Sequence, residues 1–414
     1  MTTTRSRTGT RTGTRTRTGK TGWWSVATVL VAVAACGSDG GGDEGSFDLP
    51  TAGSLGGPVL PSPRVQPIYF KGYPYVMETD TFLTRLASSP YWSTVTSEYG
   101  VGALTSLPGY AAKVSVPATL TDETLPGLLT AALAEGAATL GPARADTVYA
   151  LFFDPATTLV VMGMTLCQPG QPSAYHDEWS AGGLQVPVAV VPTCASFPGQ
   201  PSLTGAGVVT LALSHELVEA ATDPFPNTRP AWTGIDRDHV LWSVAFSGAE
   251  VADLCENDVP NTVTPGDIGY PVQRIWSNEG ARAGTGPCVP VPAGEVYVNA
   301  VADLPSRGTV MVGPTQQTVS VPVLQAAIGA QASAHLTFYG GPGVTTDLRA
   351  VAFEIDDASS AQTAHPVAVM GKVGQSVTAQ IAASSSATGV VPLIVGATSG
   401  HGDLHLWVGG VDRR

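Results

Sequence analysis

The chain has 414 residues, 43% of them apolar and only 13% charged, with 33 acidic against 20 basic side chains and a net charge of −13. That balance excludes a polyanionic partner, because nucleic acid and anionic lipid both select basic surfaces. Forty-eight glycines and 33 prolines at low charge density fit an exported protein rich in strands and loops.

The first 20 residues carry Arg5, Arg7, Arg11, Arg15, Arg17 and Lys20 and no acid. Trp23 to Ala35 is an apolar run too short to span a bilayer comfortably but suited to the hydrophobic region of a signal peptide. It ends in Val33-Ala34-Ala35-Cys36, which resembles a bacterial lipobox, whose Cys receives diacylglycerol. Residues 1–36 therefore read as a lipoprotein signal, with Cys36 as the lipidation site and membrane anchor. Gly37, not an acid, follows the Cys, which in a Gram-negative cell permits sorting to the outer membrane. The expected location is the cell envelope, at the outer membrane or cell surface. Cleavage removes six of the 20 basic residues and no acid, leaving 14 against 33 and a net charge of −19. Residues 37–60, rich in Gly, Ser, Pro and Asp, read as a flexible tether.

Four Cys remain after Cys36 is set aside: Cys167, Cys194, Cys255 and Cys288. An even number in an exported chain predicts two disulfides. Pairing Cys167 with Cys194 and Cys255 with Cys288 closes two short local loops. A four-thiolate metal site lacks the CxxC spacing it needs.

Residues 61–292 read as an α/β or α+β domain. Val65 to Phe70 has strand character. Thr81 to Ala87 and Tyr91 to Tyr99 read as short helices split by Pro90. Thr121 to Leu140 has helical apolar spacing at Leu125, Leu128, Leu129, Ala132 and Leu133. Val148 to Phe153, Leu159 to Met164 and Val186 to Val191 read as buried strands. Gly205 to Thr222 reads as a buried helix, stopped by Asp223-Pro224. From 293 to 414 the pattern changes to short apolar stretches punctuated by Gly, Pro, Asp or Ser. They are Val296–Val298, Thr309–Val312, Val319–Val323, His335–Tyr339, Ala350–Ile355, Val367–Met370, Val377–Ile381, Leu393–Val395 and Leu404–Val408. That spacing predicts an all-β, sandwich-like domain, with Val323 to Ile328 the one segment of helical period.

The chemistry concentrates in Ser214-His215-Glu216-Leu217-Val218-Glu219. His215 and Glu219 stand four apart on a predicted helix, hence on one face a turn apart. HExxH helices present two zinc ligands in this way, with the Glu after the first His as general base. Here His215 and Glu219 would hold Zn2+ and Glu216 would take a proton from its water. Charged groups in so apolar a helix are costly unless paired or ligating. Downstream, Gly248-Ala249-Glu250-Val251-Ala252-Asp253 offers Glu250 as third ligand and Asp253 as the group orienting the ligand His. Asp223 and His176 are rival third ligands, and His176 reads equally well as a structural histidine near a disulfide. His239, His335, His365, His401 and His405 lack matching partners and read as ordinary.

HELVEAATDP, then AW, EVADLCE, YPVQRIWSN and the late Cys288 together resemble the EXORDIUM/phosphate-induced protein 1 family and its bacterial and fungal relatives. YWSTVTSEYG at Tyr91–Gly100 and Cys167 followed by AYHDEW match its upstream segments. The resemblance covers roughly Val65 to Val289. It implies a secreted α/β domain with disulfides and does not by itself imply catalysis. The retained His215, Glu216 and Glu219 point to a metal-binding branch. Two functions are thus expected: a surface lipoprotein with a zinc-dependent, peptidase-like hydrolase domain acting on a peptide or cell-surface substrate, or a non-catalytic module that binds glycan or protein, its metal structural or absent.

Overall fold

The computed structural model describes residues 49–414 except 198–199, 247, 313–315, 356–363 and 383–387. The leader, Cys36 and residues 37–48 lie outside the described residues. The fold is mixed α/β, with more strand than helix distributed over several sheets.

A mixed sheet forms the centre of the first half. Its main strands are β1 (Arg64–Tyr69), β2 (Thr147–Phe152), β3 (Tyr175–Ala181) and β4 (Leu184–Val191). Their order is β1-β2-β4-β3, with Thr105–Ser106 and Tyr110–Ala111 adding to the outer side of β1. β1, β2 and β4 run parallel, and β3 closes the sheet antiparallel to β4. Both faces are covered, which is why the parallel strands read as continuous apolar runs. Side chains alternate between two cores at the period of 2 expected of strands. Val65, Tyr69, Val148, Ala150, Phe152, Ala189 and Val191 enter one. Ile68, Phe70, Tyr149, Leu151, Phe153, Val186, Val188 and Val190 enter the other.

The helices follow the sequence with specific differences. α1 (Val76–Ser88) starts earlier than its apolar spacing suggested, and α2 (Pro90–Thr96) begins on Pro90 itself. Ser89 caps α2 by accepting from Tyr91 N, and Pro at N1 forfeits no helical hydrogen bond. α3 (Leu125–Glu135) is shorter than expected, because Thr119–Thr121 is a strand and the helix breaks at Gly136. α4 (Ala206–Thr222) matches its expectation within a residue. It packs on β4 and α1, while α3 lies beyond the other face against β3. No helix among the described residues is long and apolar enough to cross a membrane.

Both disulfides are present, Cys167–Cys194 and Cys255–Cys288, as expected of a chain that folds in an oxidising compartment. The tether expectation requires correction where it can be followed. Leu49, Ala52 and Leu60 are buried. Ala52–Gly53 pairs with Gly234–Ile235, and Leu55 N and Leu60 N donate to Ala231 O and Ala221 O. The backbone at Gly57 lies so close to the Arg229 and Pro230 carbonyls that a Cβ would collide with them. Residues 49–60 are therefore a strap on the body of the protein.

From Val298 onward the regular elements among the described residues are all strands. β5 (Val298–Ala302), β8 (Gln331–Gly340) and β11 (Ser376–Ala382) form one sheet in the order β5-β8-β11. β6 (Ser306–Val312), β7 (Gln317–Ala326), β9 (Leu348–Glu354), β10 (Ala364–Gly371), β12 (Gly389–Thr398) and β13 (His405–Arg413) form the other, in the order β6-β7-β13-β12-β9-β10. β5 packs across β12 and β13. Each apolar stretch read from the sequence lies on or at the edge of one of these strands. The helical period at Val323 to Ile328 is overruled: the residues up to Ala326 belong to β7, paired with β6 and β13, and a turn follows.

A cluster of histidines and carboxylates at the end of the central helix

α4 is buried on nearly all sides, with His215 the one partly exposed side chain in its last two turns. It begins after Gly205, whose φ of 65° suits Gly far better than any L side chain. It ends at Asp223, where Pro224 prevents continuation. The polar residues of its final turns are thus carried into the protein interior.

His215 and Glu219 meet as their spacing requires. His215 Nε2 stands 3.0 Å from Glu219 Oε1 and 3.7 Å from Asp253 Oδ1. The other ring nitrogen, Nδ1, lies 2.9 Å from Gln273 Oε1. Gln273 in turn donates from Nε2 to Ala252 O and from its backbone N to Ser214 Oγ. His215 therefore donates from Nδ1 to Gln273 and directs Nε2 at the two carboxylates.

The structure redistributes the downstream acids. Glu250 was expected beside His215, with Asp253 behind it. Instead Asp253 joins His215 and Glu219, and Glu250 joins His176 and Asp223; within each trio the ligand atoms lie within 4.8 Å of one another. The local backbone explains this. Asp253 opens a single 3-10 turn, Asp253–Cys255, and its Oδ2 accepts from Glu250 N at 3.3 Å. Gly248 makes room for it, since any Cβ there would collide with the Asp253 carboxylate. The orienting role expected of Asp253 belongs to Gln273.

His176 arrives from β3, a strand that the sequence reading did not find. Trp179 and Ala181 belong to the core on the α3 side, so His176 and Glu178, at alternate positions, face α4. His176 Nδ1 is 3.3 Å from Glu219 Oε2, 3.6 Å from Glu250 Oε2 and 3.9 Å from Glu216 Oε2. His176 Nε2 is buried without a hydrogen-bond partner. Asp223 Oδ1 accepts from Ala231 N at 2.7 Å, while its Oδ2 is buried and receives no donor.

So many buried charges shift one another. Burial pushes Glu216 up to about 7, with Glu219 adding to the rise and His215 and His176 opposing it. Burial works against ionisation of Glu219 too, but His215 and His176 outweigh it and hold that carboxyl down at about 2. Burial also disfavours a charged His176, yet Glu219, Glu216 and Asp223 raise it to about 9. Burial and the charge of Glu219 raise Glu250 and Asp253 well above the ordinary carboxyl range.

The cluster fits a cation. Ligands about 2.0–2.1 Å from a tetrahedral zinc stand about 3.3 Å from one another. The contacts of His215 at 3.0 and 3.7 Å bracket that spacing, and those of His176 at 3.3 and 3.6 Å lie at it and just above it. His239 and His405, read as ordinary, have structural partners instead, Asp236 and Asp258.

Comparison with family models gives no match, and comparison with curated proteins gives none. Among solved structures, β-glucosidase from Listeria innocua aligns over 87% of this chain and 48% of its own, with 11% identity and a TM-score of 0.18. Its complex with isofagomine aligns over the same shares with 10% identity and a TM-score of 0.17. The chain spans about half the length of that enzyme. At such TM-scores neither likeness bears on fold or activity.

Proposed function

We propose that this chain is an envelope lipoprotein, anchored through Cys36, whose first domain is a zinc-dependent hydrolase of peptide-like substrates. The observation that carries the reading is the trio His215, Glu219 and Asp253, with Glu216 buried beside it. One nitrogen and two carboxylates can hold a divalent cation such as zinc, and three protein ligands leave a coordination position for water or substrate. α4 then serves as a metalloprotease-like active-site helix.

A bound zinc supplies polarisation of a carbonyl and acidification of water. Glu216 takes the proton of the attacking water and delivers it to the departing amine as the carbon–nitrogen bond breaks and a carbon–oxygen bond forms. Its burial raises its affinity for that proton. Gln273 keeps His215 in register through the reaction. The resemblance to the EXORDIUM-like branch agrees with an exported domain of this kind.

The test compares metal content of the wild type, His215→Ala and Glu216→Gln after purification without chelators. His215→Ala should lose the ion from this trio. Glu216→Gln should keep it and lose roughly 10²–10⁴-fold in peptide or ester turnover, the share general-base catalysis supplies. Near-zero metal in all three would overturn the hydrolase reading and favour a glycan- or protein-binding module. Cys36→Ser should release the protein from membranes; continued membrane fractionation without a soluble form would overturn the anchor.

A further inference from the structure

The trio that serves the proposed reaction leaves His176, Asp223 and Glu250 unexplained. These three converge on the opposite side of Glu219, their ligand atoms also within 4.8 Å of one another. The two oxygens of Glu219 divide between the imidazoles: Oε1 faces His215 Nε2 at 3.0 Å and Oε2 faces His176 Nδ1 at 3.3 Å. No group of converging ligand atoms among the described residues contains both histidines.

A second observation points to a ligand there. Asp223 is fully buried, and its Oδ2 has no donor. Glu250 brings a second carboxylate oxygen within 4.8 Å of the Asp223 and His176 ligand atoms. Two facing carboxylates beside an imidazole nitrogen are the donor set of a divalent cation.

We propose that the cluster is a two-metal centre, in which His176, Asp223 and Glu250 hold a second divalent cation and Glu219 bridges it to the ion of His215 and Asp253. This rests on the metal-binding reading of α4 and goes beyond it. Paired ions about 3.5–4 Å apart clamp the attacking and leaving oxygens in many hydrolases. Such a site would widen the substrate class from peptides to phosphate and carboxylate esters. Glu216, whose contact with His176 at 3.9 Å is the longest of the set, stays available as a proton carrier.

The experiment loads the full chain with Zn2+, removes loosely held metal by dialysis, and counts ions by native mass spectrometry and elemental analysis. Two ions per wild-type chain are expected, and one each in His176→Ala, Asp223→Asn and His215→Ala. In Mn2+-loaded wild type, electron paramagnetic resonance should show a spin-coupled pair, replaced by an isolated-ion spectrum in His176→Ala. Saturation of the wild type at one ion overturns the second site while leaving the hydrolase reading intact. Zero ions removes both. Two ions that persist, uncoupled, in His176→Ala and Asp223→Asn also overturn the proposal. Because the wild-type count decides by itself, a variant that fails to fold does not blunt the test.

Discussion

Gln273 Oε1 lies 2.9 Å from Nδ1 of His215, and the amide nitrogen of the same side chain donates to Ala252 O at 2.7 Å. One residue thus ties the imidazole on α4 to the segment that delivers Asp253. Gln273→Leu preserves the approximate volume and removes both bonds. Zn2+ affinity, measured by competition with a chromophoric chelator, should fall about 10–100-fold, the usual cost of losing such a partner. Unchanged affinity would mean that packing alone orients the ring.

Gly248 is a separate lever on the same site. A methyl group there would collide with the Asp253 carboxylate, so Gly248→Ala must displace that side chain. Zn2+ affinity should drop roughly tenfold or more, because the displaced group is a ligand. A large fall in melting temperature at unchanged affinity would reverse the assignment.

The Cys255–Cys288 disulfide begins two residues after Asp253 and closes 33 residues of chain. Both sulfurs belong to buried residues. Replacing the pair by Ser should cost about 2–5 kcal/mol in denaturant unfolding. It should also lower metal retention, since the 3-10 turn carrying Asp253 ends at Cys255. Full stability and full metal content in the double variant would contradict this.

The two halves of the chain share a core, and a single unfolding transition is expected. Val259 and Leu404 exchange backbone hydrogen bonds, and the Val240–Phe246 helix packs on β12 and β13. Asp258 Oδ1 accepts from Leu406 N, and its Oδ2 lies 3.2 Å from His405 Nδ1. Asp258→Ala leaves the buried His405 Nδ1 unmatched, at about 1–3 kcal/mol, and removes the part-buried bond from Leu406 N. Calorimetry should show the whole transition shifting down. Two resolved transitions, only one of them moved, would indicate independent domains.

What the chain reveals by itself is what neighbours in sequence decide. The helical repeat of 3.6 residues puts His215 and Glu219 together wherever α4 lies. Short loops favour Cys167–Cys194 and Cys255–Cys288, and apolar stretches broken by Gly and Pro mark the strands of the second half. Tertiary structure alone decided the rest. β3 is hidden because YHDEWSA is polar at most positions; its extended form is imposed by pairing with β4, and that register turns His176 toward α4. Gln273 lies 58 residues from the ring it orients, a relationship that no local periodicity encodes. Whether Glu250 or Asp253 completed the His215 trio depended on one 3-10 turn and on the missing side chain of Gly248. Ligand spacing along a helix is set by backbone geometry, whereas the partners of that helix are set by how separate segments pack to bury their apolar faces, and that is a property of the whole fold.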